Sequence, residues 1–83
     1  MWKYYKFGKP VLPSHPDFGR AYALYRVDGR DVERYEGNER WMVSPYRGEI
    51  LLDLSGAGGN WANYTEITAE EAEQVKKRLF PEG

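Results

Sequence analysis

The clearest hydrophobic pattern lies at the C-terminal end of the chain. Four apolar residues recur there at the spacing of one helical face: Ala72, Val75, Leu79 and Phe80. Thr68 can cap the start of a helix, and Glu71, three residues later, completes a capping box. Acidic residues follow the cap and basic residues precede the end, as the helix dipole favours. Pro81 ends the pattern, which predicts a helix from Thr68 to Phe80.

The segment Arg20 to Tyr35 predicts a β-hairpin. Two strand-like runs flank Asp28-Gly29, a dipeptide typical of a two-residue turn in which both residues adopt positive φ. A turn at this position fixes the register of the two strands, and favourable side-chain pairs then face each other. The predicted pairs are Arg26 with Asp31, Tyr25 with Val32, Leu24 with Glu33 and Tyr22 with Tyr35.

Three further segments have the composition of strands. Trp2 to Phe7 is rich in aromatic residues, which would lie on both faces of a strand. A short strand is expected at Arg40 to Val43. The nearly continuous apolar run within Glu49 to Leu54 favours burial on both faces, so it predicts the central strand of the sheet.

The remaining segments are predicted connections. Gly8 to Gly19 contains three prolines and is expected to be an ordered surface loop, and turns are expected at Glu36 to Glu39 and Ser44 to Gly48. Ser55 to Asn60 is a glycine-rich loop, and Trp61 to Ile67 is expected to be extended. Residues 1–83 are therefore predicted to form a single α+β domain. Its architecture is a small antiparallel sheet of about four to five strands, a meander of hairpins, packed by one C-terminal α-helix.

Composition narrows the class of protein. The chain has 83 residues, so its core is thin, but 16% of its residues are aromatic and few large rings can fill such a core. Cysteine is absent, which excludes disulfides, thiolate metal sites and a thiol nucleophile, and favours the reducing cytoplasm. The N-terminal segment lacks the apolar run of a signal peptide or a membrane span. We therefore expect a soluble cytoplasmic protein without a membrane partner.

Charge is distributed unevenly along the chain. Residues 1–30 contain six Lys or Arg and two Asp, whereas residues 31–83 contain six Lys or Arg and eleven Asp or Glu. This asymmetry has two interpretations. A basic N-terminal strand can lie near the acidic start of the helix, which we favour, or the first half can bind an anionic partner.

No arrangement of residues indicates catalysis. His15 is the only histidine and lies in the proline-rich loop, with no Cys or Ser–base arrangement around it in sequence, so it is expected to be an exposed loop residue. The glycine-rich loop does not lead directly into a helix and lacks the Lys of a phosphate-binding loop. The sequence therefore predicts a protein that is not an enzyme, with no catalytic, cofactor-binding or metal-binding residues and no cofactor.

Aromatic residues that a thin core cannot hold are the candidates for binding. Tyr, Trp and Arg are enriched at protein-interface hot spots, and loops commonly carry binding residues. We therefore expect a small accessory protein that binds an unidentified protein partner, as an adaptor, regulator, inhibitor or immunity-type protein does. The candidate protein-binding residues are Tyr46, Arg47, Trp61 and Tyr64.

The N-terminal strand supplies an alternative function. It interleaves aromatic rings with lysines, as single-stranded nucleic-acid platforms do. The candidate nucleic-acid-binding residues are Trp2, Lys3, Tyr4, Lys6 and Lys9. The sequence pI of 5.8 disfavours a general nucleic-acid binder. The same residues can simply serve the core while the lysines protect an edge strand from aggregation. The sequence leaves open a homo-oligomer, including one whose catalytic cleft forms only on assembly.

Overall fold

A computed structural model describes residues 1–9, 11–59 and 61–83. The strands are β1 (Lys3–Phe7), β2 (Ala23–Asp28), β3 (Asp31–Tyr35), β4 (Trp41–Val43) and β5 (Tyr64–Ile67). The helices are α1 (Arg47–Leu54) and α2 (Ala69–Leu79), and a 3-10 turn at Trp61–Asn63 precedes β5. All strand pairs are antiparallel, in the spatial order β4-β3-β2-β1-β5. The predicted α+β fold with a small antiparallel sheet packed by the C-terminal helix is confirmed.

The hairpin of β2 and β3 forms, but its predicted register is wrong, because each β2 residue faces the β3 residue two positions beyond its predicted partner. Val27 faces Val32 and Arg26 faces Glu33, so the turn residues are Gly29 and Arg30 instead of Asp28 and Gly29. Gly29 has a φ of 60°, and glycine with positive φ at the first turn position is the arrangement of a type II′ turn. In this register Asp28 lies on the strand, so it does not adopt the positive φ that the predicted turn required of it. The register also brings the two valines together and lets Arg26 bind Glu33.

Strand β1 is an interior strand. It pairs with β2 on one side and β5 on the other, so the sheet edges are β4 and β5. The interpretation that the N-terminal lysines protect a sheet edge is therefore wrong. The aromatic residues of β1 lie on both faces, as expected for a strand inside a sheet that is covered on two sides.

The predicted central strand at Glu49 to Leu54 is wrong, because this segment forms helix α1. Periodicity does not distinguish a short buried strand from a helix segment, and a leucine-rich run has high helix propensity. In the helix, Ile50 is buried and Leu51 and Leu54 are half-buried. Leu52 is 54% exposed, because it lies on the outer face of the helix. A strand buried on both faces would have hidden this side chain. The central strand is instead β2.

Helix α2 matches its prediction. The Thr68 hydroxyl accepts a hydrogen bond from the Glu71 backbone N–H at 3.1 Å, and the Glu71 carboxylate accepts one from the Thr68 N–H at 3.4 Å. The apolar face of α2 packs on β1 and β2. The buried residues of this layer are Leu24, Tyr35, Ile67, Ala72 and Val75. Leu24 is fully buried. With five buried residues against three on the other face, the sheet face below α2 holds the larger part of the core.

Helix α1 covers the opposite face of the sheet. Its Ile50 packs on Val27 and Val32, with Tyr5 and Tyr25 at the margin of this second layer. The sheet is therefore covered on both faces, by α2 on one side and α1 on the other. Neither helix in the described part of the chain is long and apolar enough to cross a membrane.

A buried lysine joins α2 to the turn between β3 and β4. The Lys76 ammonium group donates hydrogen bonds to Glu73 at 2.9 Å and Glu39 at 3.1 Å. Burial alone would lower the pKa of Lys76, but these hydrogen bonds outweigh burial and raise its pKa above the ordinary value. Glu39 has a φ of 58°, and its N–H donates to the Tyr35 hydroxyl. These contacts hold the turn in a left-handed conformation that a glutamate disfavours.

Candidate functional site

Neighbouring residues on β1 and β5 form two clefts on opposite faces of the sheet. Phe7 pairs with Tyr64, and Lys6 pairs with Thr65. Because side chains alternate along a strand, the first pair faces α1 and the second faces the α2 side. At this end of β1 and β5, the face towards α1 therefore carries two aromatic rings, and the opposite face carries a lysine and a hydroxyl group.

The first cleft, which we call the aromatic cleft, lies beside α1 and has a volume of about 270 Å³. Its lining residues are Phe7, Tyr25, Tyr46, Glu49, Ile50, Asp53 and Tyr64. The ring centroids of Phe7 and Tyr64 are 5.0 Å apart, and those of Tyr25 and Tyr64 are 6.1 Å apart. These separations are typical of packed aromatic pairs. The aromatic cleft therefore combines a cluster of rings with two carboxylates.

The start of α1 places Tyr46 in this cleft. Ser44 is buried and its N–H donates to the Val32 carbonyl at 2.9 Å. The Ser44 hydroxyl accepts a hydrogen bond from the Tyr46 N–H at 3.2 Å, and Tyr46 is the N-cap residue of α1. The Tyr46 side chain makes no capping hydrogen bond and is 62% exposed. Its backbone is thus fixed while its ring is accessible to a partner.

Burial and two lining carboxylates oppose ionisation of the tyrosines in the aromatic cleft. Burial raises the pKa of Tyr64 to about 12. Tyr25 and the carboxylates of Asp53 and Glu49 act in the same direction, because they disfavour a tyrosinate anion beside them. Burial likewise raises the pKa of Tyr25, although the nearby Arg34 opposes this effect.

The second cleft, which we call the basic cleft, has a volume of about 250 Å³. Its lining residues are Lys6, Gly8, Lys9, Val11, Phe18, Gly19, Arg20, Ala62, Asn63 and Thr65. Three of these are cations, and none is a carboxylate. Arg20 forms an exposed ion pair with Asp17 at 3.4 Å. Lys6 and Lys9 form no ion pair within residues 1–9, 11–59 and 61–83, so the basic cleft keeps most of its positive charge.

The favoured interpretation of the uneven charge is not supported by ion pairing. Helix α2 packs on β1, but the carboxylates near its start have other partners. Glu71 caps the helix at Thr68, and Glu73 binds Lys76. In the described part of the chain, no ion pair joins a lysine of β1 to α2.

The predicted protein-binding residues are brought together only in part. Tyr46 and Tyr64 line the same cleft, although 18 positions separate them in the sequence. Arg47 is the first residue of α1 and is exposed, but it does not line the aromatic cleft. Tyr46 and Arg47 thus lie at the start of a helix and not in the predicted loop. The side chain of Trp61 lies outside the described part of the structure, as does Asn60 of the glycine-rich loop and Pro10 of the proline-rich loop.

The predicted nucleic-acid-binding residues are distributed over three places. Lys6 and Lys9 line the basic cleft. Lys3 is exposed and pairs with Val27, whose side chain faces α1. Trp2 and Tyr4 are half-buried on the α2 side. A single platform of alternating rings and lysines is therefore not formed.

Trp2 instead belongs to a cation site that the molecule fills with its own arginine. The guanidinium carbon of Arg26 lies 4.1 Å from the Trp2 ring centroid and 4.5 Å from that of Trp41. The Arg26 Nε donates a hydrogen bond to the Glu33 carboxylate at 2.7 Å. The Tyr4 ring packs on Trp41 at 6.0 Å. We call Trp2, Arg26, Glu33 and Trp41 the Arg26 site.

The single histidine, His15, makes a local hydrogen bond within its loop. His15 is exposed, and its Nδ1 accepts a hydrogen bond from the Asp17 N–H at 3.0 Å. No group of three or more His, Asp or Glu residues in residues 1–9, 11–59 and 61–83 is placed to hold a metal ion. The two clefts are thus suited to binding, one to a cationic or apolar group and the other to an anion.

Comparisons of the chain with protein-family models, with curated proteins and with solved structures find no match. The geometry of the two clefts is therefore the basis for proposing a function. That geometry includes residues that the sequence pattern did not single out: Phe7, Tyr25, Glu49 and Asp53 in the aromatic cleft, and Arg20 in the basic cleft. For Phe7, the available signal in the sequence was its alternation with Lys6 along the strand. Glu49 and Asp53 were missed because the sequence pattern placed them on a strand.

Proposed function

We propose that this protein is a small accessory protein that acts by binding another protein, and that the aromatic cleft is its docking site. The observation that carries this proposal is the position of Tyr46. Its ring is 62% exposed, yet it lines a cleft with three other aromatic rings, those of Phe7, Tyr25 and Tyr64. An aromatic residue held by a rigid helix start beside an aromatic cleft is typical of an interface hot spot.

The surroundings of the aromatic cleft support protein binding over small-molecule chemistry. Its volume of about 270 Å³ lies just below the roughly 300–1,000 Å³ of small-molecule sites. Leu52 on α1 and Met42 on β4 are 54% and 55% exposed. Met42 pairs with Arg34 on β3, the strand that α1 packs against. The lack of cysteines favours the cytoplasm as the place of binding.

Photo-crosslinking tests this proposal even though the partner is unidentified. A benzoylphenylalanine replaces Tyr46, and the full-length protein is irradiated in cells of its source. We expect a discrete covalent adduct with one protein, because the ring at this position would lie in the interface. A matched variant carries the same crosslinker at Arg30, which is exposed at the hairpin tip.

The outcome is decided by comparing the two positions. A protein adduct at position 46 that is absent at position 30 supports docking at the aromatic cleft. The same adducts at both positions, or no protein adduct at position 46, would contradict it. In the first case, Tyr46→Ala should weaken binding of the identified partner about five- to tenfold, as truncation of an interface tyrosine commonly costs about 1 kcal/mol or more.

A second candidate function is binding of single-stranded nucleic acid at the basic cleft. Three cations around one cleft without a lining carboxylate favour it. The separation of these cations from Trp2 and Tyr4 disfavours it, because Phe18 is then the one aromatic residue in the described lining of the basic cleft. Aromatic stacking supplies much of the affinity of such platforms. We rank it below protein binding for that reason.

Titration with a single-stranded oligonucleotide at several salt concentrations tests this second function. Neutralising about three phosphates would make log K fall by roughly 2 for each tenfold increase in salt. Lys6→Gln and Lys9→Gln should each reduce that slope, whereas Lys77→Gln on the exposed surface of α2 should leave it unchanged. A flat titration at low salt would dispose of nucleic-acid binding.

A further inference from the structure

We propose that the aromatic cleft receives a basic side chain, the arginine or lysine of a polypeptide partner. This inference rests on the proposed function and names the chemistry that the docking site recognises. Its starting point is a comparison inside the molecule, between the aromatic cleft on one face of the sheet and the Arg26 site on the other.

The Arg26 site shows how this fold binds a cation. Its guanidinium group lies between two aromatic rings, at 4.1 and 4.5 Å from their centroids, and hydrogen-bonds to the Glu33 carboxylate. Rings supply the negative face of their quadrupole, and the carboxylate supplies a full charge. Two rings and one carboxylate thus surround the guanidinium group of this arginine.

The aromatic cleft has the same components, and its lining in the described part of the chain contains no lysine or arginine. Phe7, Tyr25, Tyr46 and Tyr64 provide rings, and Glu49 on α1 provides an exposed carboxylate. Among the described residues, the cations that lie over rings are Arg20, Arg26 and Lys76, at Tyr22, Tyr35, Trp2 and Trp41. None of these rings lines the aromatic cleft.

Charge and size both favour a basic side chain. The carboxylates of Glu49 and Asp53 line the cleft. They add to burial, which is the main cause of the raised pKa of the Tyr64 hydroxyl, because they also disfavour an anion at this position. Of the nearby cations, Arg34 is 3.8 Å from the Glu36 carboxylate, and neither Arg34 nor the exposed Arg47 lines the cleft. A volume of about 270 Å³ accommodates a long side chain, given that liquid water occupies roughly 30 Å³ per molecule.

A matched pair of peptides tests this inference. Gly-Gly-Arg-Gly-Gly and the same peptide with citrulline in place of arginine have almost the same shape, but only the first carries a positive charge. Each is titrated into the full-length protein while the ring resonances of Tyr46 and Tyr64 are followed by NMR. We expect saturable shifts with the arginine peptide and at least fivefold weaker binding of the citrulline peptide.

Variants show whether the charge of the cleft is responsible. Glu49→Gln keeps the shape of an exposed side chain and removes its charge, so it should weaken the arginine peptide severalfold and leave the citrulline peptide unchanged. Glu70→Gln, an exposed acid in the first turn of α2, is the matched control and should change neither. Equal binding of the two peptides, or equal effects of the two variants, would overturn the inference. Choline is titrated as a cation that is not part of a polypeptide, and tighter binding of choline than of the arginine peptide would also overturn it.

Failure of this inference and failure of the proposed function give different results. A protein adduct at position 46 together with no preference for arginine over citrulline would leave the docking site standing and refute its cation selectivity. Arginine-selective shifts at Tyr46 and Tyr64 without any protein adduct would establish the cation site and refute protein docking.

Discussion

The aromatic cleft and the basic cleft differ in charge and in chemistry although the same two strands build them. Lys6 and Thr65 line one cleft, and their neighbours Phe7 and Tyr64 line the other. At these two neighbouring positions, side-chain alternation places the rings on one face and the lysine on the other, although Tyr4 shares the α2 side with Lys6. Interleaving of the two residue types along a strand is therefore weak evidence for a single site that uses both.

The two clefts also differ in how firmly their side chains are held. The rings of Phe7, Tyr25 and Tyr64 pack against one another, and α1 covers the same layer. In the basic cleft, Lys9 and Arg20 are exposed and belong to the connection between β1 and β2. A preorganised cleft loses less conformational entropy on binding, so the comparison favours the aromatic cleft as the principal docking site.

The largest expected effect comes from truncating the core below α2, on the sheet face that carries the basic cleft. Leu24 is fully buried below α2, so Leu24→Ala should reduce the free energy of unfolding by about 2–5 kcal/mol. Urea denaturation measures this loss. Leu12→Ala, at a position that is 75% exposed, should stay within about 0.5 kcal/mol of the parent protein. Equal losses for the two variants would show that the assignment of the core is wrong.

A substitution at Gly8 should damage the basic cleft selectively. A Cβ at Gly8 would clash with the backbone carbonyl of Arg20, and the Gly8 N–H donates to the Asn63 carbonyl at 2.9 Å. Gly8→Ala should cost about 1–3 kcal/mol in the free energy of unfolding and move amide resonances around Arg20. Gly48→Ala provides the control, because a Cβ there meets nothing within 4 Å and the residue lies in α1. It should stabilise the protein by up to about 1 kcal/mol.

The Tyr64 hydroxyl makes the aromatic cleft sensitive to alkaline pH. The folded state holds its proton up to a pKa of about 12, whereas the unfolded chain releases it near the ordinary value of about 10. The contribution of this group to stability is thus fully present below about pH 10 and is lost as the pH rises towards about 12. The tyrosinate absorbance of the parent protein minus that of Tyr64→Phe should show a midpoint near 12. A midpoint near the ordinary value would contradict the burial of this hydroxyl.

The smallest expected effect on stability is that of Tyr46→Ala. The ring is exposed and makes no capping hydrogen bond, so the free energy of unfolding should change by no more than about 0.5 kcal/mol. Tyr35→Ala is the contrasting variant, since Tyr35 is buried and should cost about 3–5 kcal/mol. A cooperative loss of folding in Tyr46→Ala would place this ring in the core and remove the basis for a docking site.

Local signals in the sequence predicted the elements that are specified by residues close together along the chain. The capping box of Thr68 and Glu71 predicted α2, and the glycine at position 29 predicted the hairpin. The exact register of the hairpin depended on contacts beyond it. Val27 and Val32 meet below Ile50 of α1, and Arg26 is held by rings from β4 and the N-terminus.

The helix α1 and both clefts could not be predicted, because each depends on contacts between distant segments. The apolar run of α1 is too short for its period to be recognised, and its burial is decided by the sheet. The aromatic cleft joins Phe7 from β1, Tyr46 from the start of α1 and Tyr64 from β5. Only the strand order β2-β1-β5 brings these residues together, and nothing local in the sequence specifies that order.

Calorimetric titration of the protein captured at position 46 tests the central claim most directly. The parent protein, Tyr46→Ala and Lys9→Ala are each titrated with that partner under identical conditions. We predict that Tyr46→Ala weakens binding about five- to tenfold, whereas Lys9→Ala, in the basic cleft, stays within about twofold of the parent protein. Unchanged affinity for Tyr46→Ala together with weakened binding of Lys9→Ala would contradict docking at the aromatic cleft.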